Sequence, residues 1–163
     1  MNKNINYKEK EARHPFNPFK GKPKKPTDKD IELLREWAKI DASVRASYWE
    51  SVGYPIWDSV WDSVGGSVTT SVWSSVGGCV TASIWSSVGD SARDSVWDSV
   101  RAYFGSLFLN IKKWKGIDHK EGEYPFQPAV DLWYIGFVPA FDGEKWQLLS
   151  GKRAEVVWEG KIE

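Results

Sequence analysis

The sequence has one cysteine, Cys79, and one methionine. A lone thiol excludes an internal disulfide framework, and no zinc-ligand spacing can be assembled around it. Histidine is almost as scarce, with only His14 and His119. No nucleophile–base–orienter set and no phosphate-binding loop is found, so neither catalysis nor a cofactor is expected. A run of about eighteen apolar residues is also missing, so no membrane span is expected. The opening MNKNINYKEKEARHPF has no apolar core of a secretory leader, so no signal peptide is expected, and with the lone cysteine a cytoplasmic setting is expected. Formal charge sums to zero, which argues against nucleic acid as a partner of the whole chain.

That zero is unevenly built. Residues 1–26 carry eight Lys or Arg against two Glu, with Pro15, Pro18, Pro23 and Pro26 among them. Few branched apolar residues are present there, so this reads as a basic extended or disordered arm able to touch an acidic surface. The aromatic pair in HPFNPF suggests that part of it lies in a groove on the body. Residues 27–42 read as a helix: Thr27 as N-cap, Asp28 and Asp30 in the first turn, and Ile31, Leu34 and Trp37 on one side.

What the sequence has in excess is tryptophan, eleven in 163 residues, and a repeat. From Ser43 to Phe108 an apolar residue, mostly Val, stands at every fourth position, with Ser one place earlier at most steps. A longer period of twelve lies on top. It places Trp at 49, 61, 73, 85 and 97, and Gly at 53, 65, 77 and 89. On a continuous α-helix a four-residue step drifts by about 40°, so the Val row would travel right round the axis. Interior Gly would add about 1 kcal/mol each, and Val, Thr and Trp favour pleated surfaces. Only Asp90 to Phe108, which lacks Gly until Gly105, leaves a helix open.

The expected fold is therefore mainly β: a short triangular β-solenoid over residues 43–108. It would have about twelve residues per coil, one inward Val on each four-residue side and small corners. This resembles, in architecture only, the small β-helices of insect antifreeze proteins and the pentapeptide-repeat proteins. The helix at 27–42 would cap one end, and a small α+β unit at 109–163 the other. In that unit Pro128 opens a short helix closed by Gly136, Asp142-Gly143 marks a turn, and EKWQLL and AEVVWEG read as strands.

A narrow Val lumen cannot hold indoles, so Trp49, Trp61, Trp73, Trp85 and Trp97 would form an external ladder. Such an apolar strip must be covered or bind something. The expected function is a non-enzymatic scaffold that self-associates, through the Trp face or the solenoid ends, or binds a protein partner. The alternative is a ligand-binding module stacking glycans or single-stranded nucleic acid on the same indoles. Asp58, Asp62, Asp90, Asp94 and Asp98 share one repeat position and read as solvated corners rather than a DNA-mimicking row. Thr69, Thr70 and Thr81 are too few for an ice-binding array. Cys79 reads as a small corner residue. The only stretch with acid–base or metal character is Asp118 to Glu123, read as a solvated loop.

Overall fold

The computed structural model describes residues 6–42, 48–85 and 87–163. Among them are six helices: α1 (Glu9–Arg13), α2 (Asp28–Ala42), α3 (Tyr48–Val64), α4 (Gly66–Trp85), α5 (Asp90–Ser106) and α6 (Gln127–Tyr134). Three strands follow, β1 (Val138–Phe141), β2 (Trp146–Ser150) and β3 (Glu155–Gly160), in an antiparallel sheet of order β1-β2-β3. The repeat is thus helical, and the β-solenoid expected over 43–108 is overturned. With it go the Val lumen, the stacked coils, the end-capping roles and the likeness to antifreeze and pentapeptide-repeat proteins.

The physical reason is that the helix is cut before the Val row can drift away. Val52, Ile56, Val60 and Val64 are buried on α3; Val72, Val76, Val80 and Ile84 on α4; Ala92, Val96, Val100 and Phe104 on α5. Four such positions span an arc of about 120°, an ordinary apolar face. The cuts fall at alternate members of the Gly row. Gly65, at φ 85°, ends α3 in the left-handed region open to glycine. Gly89 is the N-cap of α5. The helical cost assigned to glycine is largely absent at these ends. At the interior Gly77 a Cβ would stand 3.3 Å from the Trp97 ring, so the missing side chain lets an indole approach.

α5 is the central element, touching α3, α4, α6 and β1. Its Val96, Val100, Ala102, Tyr103 and Phe104 are fully buried, and so are Ser95 and Ser99 of the repeat. Ser99 Oγ donates to the Pro139 carbonyl at 3.1 Å, and the Phe141 N–H donates to Ser95 Oγ at 2.8 Å. Residues 139 and 141 direct their main-chain groups away from β2, because groups two apart on a strand point to the same side. The free edge of β1 is therefore closed by two hydroxyls of the repeat. Pro139, which has no N–H, stands on that edge without loss.

α2 begins with a reciprocal cap: Thr27 N–H donates to Asp30 Oδ2 at 2.7 Å and Asp30 N–H donates to Thr27 Oγ1 at 3.4 Å. Its Ile31, Leu34, Trp37 and Ala38 are buried, and the helix packs on α6. The basic arm is laid on the body from residue 6 onward. Lys8 N–H donates to the Leu107 carbonyl at 2.8 Å, Tyr7 stacks on Phe108, and Ala12 and Phe19 are buried. Further along, Lys24 N–H donates to Ser150 Oγ at 3.3 Å. The VPAF segment ahead of the Asp142-Gly143 turn, for which no strand is expected, supplies β1.

Two expectations test this packing. Gly78 lies inside α4, is exposed, and a Cβ there would meet nothing within 4 Å. Gly78→Ala should stabilise the protein by up to about 1 kcal/mol in urea unfolding, since the backbone is helical; a destabilised variant would contradict a helix there. Ser99→Ala strips the Pro139 carbonyl of its buried donor and should cost about 1–3 kcal/mol by the same measurement.

Candidate aromatic cleft

The aromatic side chains of the repeat do not form a row. Twelve residues on a helix turn the direction of a side chain by about 120°, so indoles at that spacing diverge. On α4 this sends Trp73 inward and leaves Trp85 70% exposed, with the Arg93 guanidinium 5.3 Å over its ring. Trp73 and Trp97, from neighbouring helices, meet at 5.9 Å. Trp61 is 47% exposed at the edge of the group. The side chain of Trp49 lies outside the described residues.

The residue that joins the others is Trp57, which the twelve-residue reading left out of the row. It packs against Trp61 at 6.0 Å, stacks on Phe104 at 6.3 Å, and meets Trp73 edge-on at 6.0 Å and 87°. Trp73 is also edge-on to Phe104, at 5.4 Å. Between these rings opens a cleft of about 330 Å³, lined by Gly53, Tyr54, Ile56, Trp57, Trp73, Arg101 and Phe104. Its walls come from α3, α4 and α5. Helical spacing would have found it: Trp57 and Trp61 are four apart, Arg101 and Phe104 three apart, and such pairs share a face.

The polar wall of the cleft is an ion pair. Arg101 Nη1 lies 3.1 Å from Asp98 Oδ1, with both side chains largely buried, and its guanidinium stands 5.6 Å from the Trp73 ring centre. Burial pulls the guanidinium below its ordinary value, and Asp98 opposes that shift. The two charges cancel locally, so the cleft presents aromatic faces and a balanced dipole rather than a net charge. The four Asp expected alongside Asp98 on solvated corners are exposed; Asp98 itself is buried.

The other candidates are occupied in packing. His119 Nε2 accepts the Trp114 N–H at 2.9 Å and its Nδ1 faces the Lys120 carbonyl at 2.7 Å, so both ring nitrogens hold the loop. Among the described residues no three His, Cys, Asp or Glu side chains gather closely enough to hold a metal. Burial pushes the Cys79 thiol up to about 11, and its Sγ faces the Val76 carbonyl at 3.0 Å. Tyr103 and Tyr134 both direct their hydroxyls to Glu11 Oε1 of α1, and burial raises both phenols. The Phe16 N–H in turn donates to the Tyr103 hydroxyl at 2.9 Å. No helix among the described residues is long and apolar enough to cross a membrane. No protein-family model, curated protein or solved structure matches this chain.

The ion pair gives a prediction. Arg101→Met leaves the Asp98 carboxylate without its buried cation and should cost about 3–5 kcal/mol in urea unfolding. The double variant Asp98→Leu/Arg101→Met should cost clearly less than the sum of the single changes.

Proposed function

We propose that this chain is a non-enzymatic binding protein whose aromatic cleft takes a flat, uncharged ring, carried by a small ligand or a glycan. The observation behind this reading is the right-angled set of Trp57, Trp73 and Phe104 around an open volume of about 330 Å³. That volume lies within the range of small-ligand sites, which are mostly apolar with a few placed polar groups. Arg101 and the partly exposed Tyr54 supply those polar groups. A single-stranded nucleic acid suits the site less. The cleft carries no net positive charge, and of the exposed carboxylates Asp94 acts on Arg101.

A scaffold role is the second reading, favoured by Trp85 and Trp61, which remain exposed outside the cleft and suit a protein partner. The arm adds exposed Lys20, Lys22, Lys24 and Lys25, fitted to an acidic surface. The single partly buried thiol is consistent with a cytoplasmic protein.

Titration with neutral oligosaccharides and heteroaromatic compounds, followed by Trp fluorescence, tests the first reading. Saturable quenching with little salt dependence is expected; a steep salt slope would indicate a polyanion instead. Tyr54→Ala, at the rim, should weaken binding about tenfold while the melting point holds, at a cost of about 1.4 kcal/mol in binding. Trp85→Ala should leave binding unchanged. Equal loss in both variants, or no quenching across the panel, would overturn the cleft as a ligand site.

A further inference from the structure

Two segments far apart in the sequence are clamped together on the surface. Residues 20–25 of the arm, KGKPKK, lie against GKRA at 151–154, the turn between β2 and β3. The Lys152 N–H donates to the Gly21 carbonyl at 3.3 Å, and the Lys24 N–H donates to Ser150 Oγ at 3.3 Å. Between these bonds the backbones touch, since a Cβ on Gly151 would stand 2.7 Å from the Pro23 nitrogen. The junction gathers Lys20, Lys22, Lys24, Lys25, Lys152 and Arg153, all exposed. Neither segment holds an acid, and none of these cations enters an ion pair among the described residues. The bordering acids, Asp28 and Glu155, pair with none of them either. Like charges held together repel, and a counter-charge from outside relieves that repulsion.

The basic face has an apolar flank. Lys24 Nζ donates to the Ile135 carbonyl at 3.1 Å. Ile135 is 38% exposed and Tyr134 37%, and Phe16, also 37% exposed, packs on Tyr134 at 5.4 Å.

We propose that this composite face docks an acidic peptide segment of a partner protein, with its carboxylates on the cations and an apolar side chain on Phe16, Tyr134 and Ile135. The proposal rests on the second reading above, in which the arm fits an acidic surface, and is independent of the cleft. Charge complementarity calls for a polyanion, and the flank selects among polyanions. A nucleic-acid base needs an aromatic face to stack on. Tyr134 has Lys8 Nζ 5.9 Å from its ring centre and meets Phe16 and Tyr103 at 63° and 81°. Three groups already crowd the ring that a base would need. A lipid surface is gripped by apolar groups that reach into it, whereas these three side chains are more than half covered. They form a shallow floor on which a peptide side chain can lie. Five of the six cations are lysine, whose compact ammonium meets a carboxylate as a point charge without the fixed fork of arginine. The face therefore reads closely spaced acids rather than one rigid arrangement of them.

Fluorescence anisotropy with a labelled peptide of Glu interrupted by Leu, compared with a peptide of Glu alone, tests the proposal. Leu in place of an aromatic residue keeps the cleft out of the readout. Oligo-dT and phosphatidylserine vesicles serve as the competing polyanions. The Glu–Leu peptide should bind most tightly, about tenfold better than Glu alone, and weaken with salt. Lys152→Glu/Arg153→Glu and Lys22→Glu/Lys25→Glu should each weaken it about tenfold with the melting point unchanged. Lys113→Glu/Lys161→Glu, the same change of charge outside the face, should leave binding within about twofold. Trp85→Ala should not alter it, so failure of this face and failure of the Trp surface are told apart. Oligo-dT or vesicles bound as tightly as the Glu–Leu peptide would overturn the proposal. So would equal loss in the Lys113/Lys161 variant, no gain from Leu, or indifference to the Lys152/Arg153 change.

Discussion

Everything in this chain depends on a mismatch between two numbers, the four-residue step of its valines and the 3.6-residue turn of the α-helix. A row that gains about 40° at each step can face a core for about four members before it turns outward. The structure keeps the row inward by stopping each helix in time. Gly65 and Gly89 make the stops, and α3, α4 and α5 each restart the row at a fresh angle. The period of twelve in glycine is therefore used at every second member. The skipped members, Gly53 and Gly77, stay inside helices, where Gly53 lines the cleft and the missing side chain of Gly77 admits the Trp97 ring.

The same arithmetic explains what could and could not be seen in the residues alone. The Val row does drift round one uninterrupted helix, but α3, α4 and α5 are each too short for it to leave the core face. Gly65-Gly66 and Gly89 were read as obstacles to helix, whereas glycine just past a helix end is a stop signal. Val and Thr pleat propensities pointed the same wrong way, and burial on a packed face overrode them. Where the signal was local, it held more firmly. Thr27 with Asp30 carries a complete cap in four residues, and the Ile31, Leu34 and Trp37 face lies in the core. The strand character of VPAF was not legible. It depends on hydroxyls some forty residues earlier, which no local pattern records.

The serines answer to the same geometry. A Ser one place before each Val sits beside the buried row, rotated by about 100°. On the exposed flank of α4 that position meets water, as at Ser67 and Ser71. On the central α5 it meets the edge of β1 and becomes a pair of buried, satisfied hydroxyls. Ser59 does the same on α3, accepting the Lys115 N–H at 3.1 Å and fixing the middle of the loop between α5 and α6. A polar residue that the repeat repeats without discrimination is thus given work only where another main chain needs a partner, and buried hydroxyls without one are costly.

The cleft follows from setting the Trp period against the Val period. Twelve residues rotate a side chain by about 120° on a helix, so no single helix can aim two such indoles at one place. Convergence requires different helices: Trp57 from α3, Trp73 from α4, Phe104 from α5. Indoles at right angles cannot fill the corner between them as aliphatic side chains would, and the corner stays open. Arg101 lies against one face of it, with its charge paired to Asp98. A regular repeat folded as a straight array would have put its indoles side by side on a surface. Folding it back on itself twice turns the divergence of those indoles into a concave site, so the concavity is a consequence of the breaks at Gly65 and Gly89.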